Sequence, residues 1–275
     1  MKLVHSLSAL AGILIISSCS QPAETPSRND EALALIETLK SSASEGRFLY
    51  AHQDALMYGH DWHLTSDETE YAQSDVFEVC GDYAAILGYD LGGIELGDSN
   101  NIDGNSFKQM HDAAVKNFER GGVLTMSWHP RNPLTGGDAW DVSSNKVVES
   151  ILPEGEKHEF FMDWLKKAAD YLSTFDMPII FRPWHENTGS WFWWGASHCT
   201  ADQYKELWIM TYDYFVKERG PTNLVWAYSP NGVISTEKYL LTYPGDEYVD
   251  IMGFDQYVGH AANFVEGMQQ MLATV

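Results

Sequence analysis

Apolar and polar positions along the chain follow two alternating patterns. Leu33, Ile36 and Leu39 recur at helical spacing and predict an amphipathic helix, after which comes the run Phe48-Leu49-Tyr50-Ala51-His52-Gln53-Asp54. The next apolar run, Ala84-Ala85-Ile86-Leu87-Gly88-Tyr89-Asp90, also closes on a polar residue. A helix over about 106–120 passes through Gly121-Gly122 into VLTMSWHP, 123–130. Spacing predicts another helix over 160–175, followed by MPIIFRPWHE, 177–186. Thr200 caps a helix predicted over 201–219, which leads to NLVWAYSPNG, 223–232. VDIMGFDQY, 249–257, precedes a last helical segment over 263–274.

Apolar runs too short for helices, with helices between them, are the mark of buried parallel strands. Each run closes on His, Asp, Glu, Tyr or Trp, and in a (β/α)₈ barrel the C-terminal strand ends carry the chemistry. A doubly wound sheet would show a Gly-rich phosphate turn after its first strand. Here Gly92-Gly93 follows the second run and lacks GxGxxG spacing. The pattern predicts an α/β fold, a (β/α)₈ TIM barrel, with about six of its eight β/α units present in the chain. Six strands alone leave open sheet edges, so either the chain is a C-terminally truncated product or the architecture is not a closed barrel, and truncation is the expectation. No linker or change of composition divides residues 30–275, which read as one catalytic barrel domain.

Met1-Lys2 and the apolar stretch from Leu7 to Ile16 precede Ser17-Ser18-Cys19. The stretch is too short to span a bilayer and reads as a secretory signal. Small residues before Cys19 resemble a bacterial lipobox, so residues 1–18 are the expected signal peptide, Cys19 the lipidated residue and 19–29 a polar tether. The alternative is an ordinary cleaved signal with an incidental cysteine. The lipobox places the protein in the bacterial cell envelope, on the periplasmic or cell-surface face, touching membrane only through its lipid. Cys80 and Cys199 fall at opposite ends of the predicted barrel, beyond disulfide reach, and are expected as free thiols.

Composition narrows the partner. With 17 Lys+Arg against 39 Asp+Glu the formal net charge is −22, a field that repels nucleic acid. Hydrophobic residues at 44% exclude wholesale disorder. Aromatics reach 13%, including 10 Trp, and flat rings beside polar loops suit a neutral carbohydrate.

The richest chemistry follows the fourth run. Arg182-Pro183-Trp184-His185-Glu186 leads into Gly189-Ser190-Trp191-Phe192-Trp193-Trp194-Gly195. A carboxyl beside so much ring surface is desolvated, which raises its pKa and suits Glu186 to a general acid. The competing arrangement is a Glu186–Arg182 ion pair with the tryptophans merely packed. HExxH fails, because Gly189 stands four residues after His185. His60-Asp61-Trp62-His63 lacks a third ligand, and no Gly-x-Ser-x-Gly elbow is present. No metal or cofactor is expected.

These residues carry a resemblance. Trp128-His129, the stretch from Arg182 to Gly195, Tyr228-Ser229-Pro230 and Gly253-Phe254-Asp255-Gln256-Tyr257 resemble glycoside hydrolase family 26, mainly endo-β-1,4-mannanases, from about residue 30 onward. The resemblance implies a (β/α)₈ barrel and a retaining mechanism with two glutamates, acting on β-mannan, glucomannan or galactomannan. It makes Glu186 the proton donor with His185 beside it. It also implies that Trp191 is the ring under the sugar, that His129 hydrogen-bonds substrate and that Tyr257 positions the nucleophile. Trp140 would line a neighbouring subsite. The family's nucleophile belongs to the seventh strand, past the sixth and last run found here, so the 275-residue chain is expected not to hydrolyse mannan. Asp54, Asp90, Glu95 and Asp255 are the remaining strand-end carboxylates, and Glu266 falls on a helix surface. Alternatives are β-1,3-xylanase or mixed-linkage β-glucanase activity, and a non-catalytic glycan-binding lipoprotein.

Overall fold

The computed structural model describes residues 28–232, 235–257 and 261–273, the side chains of 261–264 excepted. Cys19, residues 1–18 and most of the tether lie outside the described residues. In chain order the strands are β1 (Ala51–Gln53), β2 (Tyr58–Gly59), β3 (Trp62–His63), β4 (Ile86–Asp90), β5 (Val123–Ser127), β6 (Ile179–Arg182), β7 (Leu224–Tyr228) and β8 (Ile251–Met252). β2 and β3 form a separate antiparallel hairpin. The other six make one parallel sheet in the order β1-β4-β5-β6-β7-β8. Each predicted run therefore contains a strand. The spatial order follows chain order without reversal, whereas a doubly wound sheet reverses at its switch point. This is the winding of a (β/α)₈ barrel.

The α-helices are α1 (Asp30–Ser44), α2 (Asp75–Cys80), α3 (Phe107–Glu119), α4 (Val147–Ile151), α5 (His158–Leu172), α6 (Ala201–Asp213), α7 (Thr236–Leu241) and α8 (Ala261–Leu272). Period-two alternation sends strand side chains to two different cores. Leu87, Leu124, Phe181 and Trp226 join the large cluster with Met110 of α3, Leu165 of α5 and Trp208 of α6. Ile180, Val225 and Ala227 face the other way and meet Ala32 and Leu35 of α1. The backbone N–H of Asn29, just before α1, reaches the carbonyl of Thr222 at 2.9 Å, just before β7 begins. So α1 closes the end of the sheet opposite the strand C-termini.

Three expectations shift. Leu33 is 48% exposed, while Ala32 and Leu35 are buried and Ile36 and Leu39 pack partly against the same cluster. The buried stripe is rotated from the predicted one, because the small Ala32 lets the helix approach closely. Arg28 and Asn29, read as tether, are held by the fold: Arg28 pairs with Asp250 at 2.8 Å and Asn29 caps Ala32. The helix over 201–219 keeps its Thr200–Gln203 capping box but turns π-helical over Tyr214–Arg219. That wider turn accompanies the burial of Phe215, which stacks on Phe181 at 5.5 Å. Cys80 and Cys199 are both free thiols.

Candidate active site

The chain leaves β6 through a strained turn. Trp184 and Glu186 take φ of 51° and 55°, a left-handed conformation that costs bulky residues about 1–3 kcal/mol each. Three hydrogen bonds hold it. The Tyr204 hydroxyl donates to the Trp184 carbonyl at 2.8 Å, Trp194 Nε1 to the His185 carbonyl at 2.9 Å, and the Glu186 N–H to the Ser229 carbonyl at 2.7 Å. The turn drives Trp184 into the core and leaves Glu186 at a cleft.

Glu186 is buried, yet its carboxyl lines that cleft. Trp191 Nε1 donates to Glu186 Oε2 at 2.8 Å, and Tyr257 also hydrogen-bonds the carboxyl. Burial, then the charge of Asp255, pushes the Glu186 pKa above the ordinary carboxylate value, against the pull of those two donors and of Arg182. Arg182 is not its ion-pair partner. Its Nη1 lies 2.7 Å from Asp255 Oδ2, which also accepts from Ser229 Oγ at 2.7 Å.

The aromatic run divides by burial. Trp193 and Trp194 are fully buried, and Phe192 stacks on Trp194 at 4.5 Å. Trp191 alone is substantially open, at 38%. Its ring lies over Gly189, where a Cβ would come within 2.4 Å of two ring carbons.

Across the cleft, His129 follows β5. Its Nδ1 lies 2.6 Å from Asp90 Oδ2 and its Nε2 lies 3.0 Å from His185 Nε2, so both ring nitrogens are engaged. The half-exposed Trp140 stacks on His129 with centroids 5.2 Å apart and planes at 12°. Burial first, then the charges of Arg182 and His129, holds the His185 pKa well below the ordinary histidine value.

The cleft, of about 730 Å³, continues past His129 to Asp54, Tyr58, Ile102 and Asp103. Asp54 sits at φ 54° and accepts from Tyr58 Oη at 3.2 Å and Asn105 Nδ2 at 2.9 Å. Burial, followed by the charge of Asp103, pushes its pKa up to about 7. The folded state thus binds a proton that the unfolded chain releases near pH 4. The associated stability is complete below about pH 4 and is lost as pH rises towards 7. Asp54→Asn, which tolerates the left-handed backbone, should flatten this fall. Urea midpoints at pH 5 and pH 7 should lie closer together in the variant than in the parent; an equal spacing would show that Asp54 does not titrate there. Among the described residues, no group of three or more His, Cys, Asp or Glu is placed to hold a metal ion.

The sequence profile of glycosyl hydrolase family 26 matches residues 37–275. The chain belongs to that family. It is 37% identical over 239 residues to a mannan endo-1,4-beta-mannosidase of Bifidobacterium adolescentis, covering 82% of this chain and 23% of that protein. A mannan endo-1,4-beta-mannosidase of Bacillus subtilis strain 168 is 29% identical over 221 residues, covering 75% of this chain and 59% of its own. The chain thus spans about a quarter and three fifths of these two relatives. The solved GH26 beta-mannanase from Bacteroides ovatus superposes with a TM-score of 0.84 at 39% identity, covering 90% of this chain and 72% of that one.

Within this family 26 fold, all five residues singled out for substrate and acid chemistry, His129, His185, Glu186, Trp191 and Tyr257, line one cleft, joined by Trp140. Sequence reasoning missed the Arg182–Asp255 pair and the anchoring of His129 by Asp90. It also missed the arm built by Tyr58, Ile102 and Asp103. Of the candidate carboxylates, Glu95 is taken up by Trp128 Nε1 and the backbone of Gly93 and Arg131. Glu266 is exposed on α8.

Proposed function

We propose that this family 26 chain serves retaining hydrolysis of β-1,4-mannosidic linkages in mannan, glucomannan or galactomannan, with Glu186 as proton donor. The observation that carries the reading is a carboxyl of raised pKa, fixed by Trp191 Nε1 and bordered by that residue's open ring. A protonated Glu186 gives its proton to the glycosidic oxygen as the bond to the sugar breaks. The Trp191 face packs against the apolar side of a sugar ring, while His129 and Trp140 border the far side of the same pocket. Retention requires a second carboxyl about 5–5.5 Å away as nucleophile. Among the described residues Asp255 is the other carboxylate acting on Glu186, but its pairing with Arg182 and Ser229 suits it to fix charge rather than to attack a sugar.

Mannan, β-1,3-xylan and mixed-linkage β-glucan are the substrates to compare. In a protein that includes the family's seventh strand, oligosaccharide release from mannan that disappears in Glu186→Gln supports the reading; release from xylan or glucan alone transfers it to those polymers. Saturable binding of mannohexaose without shorter products favours a glycan-binding role. The lipobox at Cys19 further supports a lipid-anchored protein of the bacterial cell envelope. Cys19→Ser should then leave the membrane fraction, and continued sedimentation with membranes would count against the anchor.

A further inference from the structure

The chain enters the fold at the end of the sheet opposite the cleft. Arg28 Nη2 and Nε lie 2.8 and 3.0 Å from Asp250 Oδ2, just before β8, and that oxygen also accepts from the Trp226 N–H at 2.8 Å. The Asn29 N–H bonds the Thr222 carbonyl at 2.9 Å, just before β7, and its side chain caps α1 at Ala32. From there α1 runs beneath the sheet, with Ala32 and Leu35 against Ile180, Val225 and Ala227. The cleft residues His129, Arg182, Glu186 and Asp255 stand at or just past the other ends of their strands.

The short link from the expected lipid to this entry point limits how the barrel can sit. Cys19 stands nine residues before Arg28. Whatever path those residues take, covalent geometry limits them to about 30 Å. An acyl chain on Cys19 begins at the edge of the hydrocarbon, so the headgroup layer takes up about 5–8 Å of that reach. Along β7, seven residues, or about 23 Å of extended chain, separate Thr222 from Ser229, whose carbonyl holds the Glu186 N–H. The two lengths are nearly equal. A cleft turned to the bilayer would need the link drawn straight along the flank with no slack, whereas an outward cleft needs no stretching. Charge acts in the same direction. Asp54, Asp90, Asp103, Glu186 and Asp255 line the cleft against the guanidinium of Arg182, and the whole chain carries a formal net charge of −22. Anionic headgroups repel such a face.

We propose that the lipid at Cys19 holds the protein with its α1 end toward the bilayer and its cleft toward solution. The glycan it takes is then a chain arriving from the aqueous side, not a sugar headgroup of the membrane that carries the protein. This orientation rests on the lipid-anchor reading above.

Energy transfer from dye-labelled protein to vesicles tests it without any turnover. The full chain, purified from bacterial membranes, is added to phosphatidylcholine vesicles with an acceptor dye on the outer headgroups; these lipids carry no net charge, so reach acts alone. Two variants carry one dye each in a Cys80→Ser, Cys199→Ser background. Asp176→Cys labels the exposed turn before β6, and Ser190→Cys labels the exposed position beside Trp191. With the probes separated by about the length of a strand and its flanks, transfer from position 176 should be at least about threefold stronger than from position 190. Inserting twenty Gly/Ser residues between Pro26 and Ser27 should remove most of that difference. Equal transfer from the two positions, or stronger transfer from 190, overturns the orientation, as does a difference that survives the insertion unchanged. If the wild type does not sediment with membranes, or Cys19→Ser sediments equally well, the anchor reading itself fails and the orientation falls with it.

Discussion

Trp184→Ala should lower the unfolding free energy by about 3–5 kcal/mol. Trp184 is fully buried, with Trp128, Trp193 and Trp194 at centroid distances of 5.5, 5.5 and 5.6 Å, and Phe161 at 6.0 Å. Removing the indole opens a cavity lined by rigid rings that cannot collapse into it. It also removes the indole N–H bond to Thr211 Oγ1 at 3.1 Å, leaving that hydroxyl only its own donation to the Leu207 carbonyl at 2.8 Å. The left-handed backbone at this position keeps its strain after the substitution, while the packing that imposes it is gone. Urea denaturation followed by tryptophan fluorescence measures the loss. Trp184→Phe, which preserves most of the ring volume, should cost less than half as much. Equal losses in the two variants would mean that the hydrogen bond, not the packing, carries the site. Because His185 and Glu186 follow directly, the same core holds both the fold and the Glu186 carboxyl in place.

Gly189→Ala should cut mannohexaose affinity at least about tenfold while shifting the melting temperature little. The new methyl would meet the Trp191 ring at 2.4 Å, and the ring is the element free to move, since it is partly open to solvent. Its displacement removes both the flat face and the N–H bond to Glu186. Stacking of this kind is worth about 0.5–1.5 kcal/mol beyond burial, and a hydrogen bond to a charged group about 1.5–3 kcal/mol. The bond favours the ionised carboxyl, so its loss should push the Glu186 pKa still higher. Trp191→Phe separates the two effects: it keeps a ring and deletes the donor, so the pKa should rise while much of the affinity survives. Unchanged affinity in Gly189→Ala would mean that the ring tolerates the methyl or that Trp191 is not part of the binding face.

Strand positions were legible because each apolar run closes on a polar residue, and burial on both faces leaves few other readings for segments such as Ile179-Ile180-Phe181. Short elements escaped. The Tyr58–His63 hairpin, α2 and α7 are too brief to show a period, and their stability comes from tertiary partners such as Asp75, which accepts from Trp62 Nε1 at 2.7 Å. At the site, the candidate carboxyl was legible in Arg182-Pro183-Trp184-His185-Glu186. What surrounds it was read less well. The rings of residues 191–194 look alike in sequence, yet two are core, one backs the cleft and one faces it.

The sequence by itself determined the order of the sheet strands and the longer helices, the barrel winding and the stretch where polar and aromatic side chains gather, because periodicity and residue type are local properties. Only the tertiary structure decided which charges meet. Parallel strands laid side by side in chain order bring their C-terminal ends together, so Asp90 reaches His129 across 39 residues, His129 reaches His185 across 56 and Arg182 reaches Asp255 across 73. Those pairings depend on register, on which face each side chain takes and on left-handed turns at Trp184 and Glu186. A bulky residue gives no sign in sequence that it will adopt such a turn; it does so because the surrounding core leaves it no other fit.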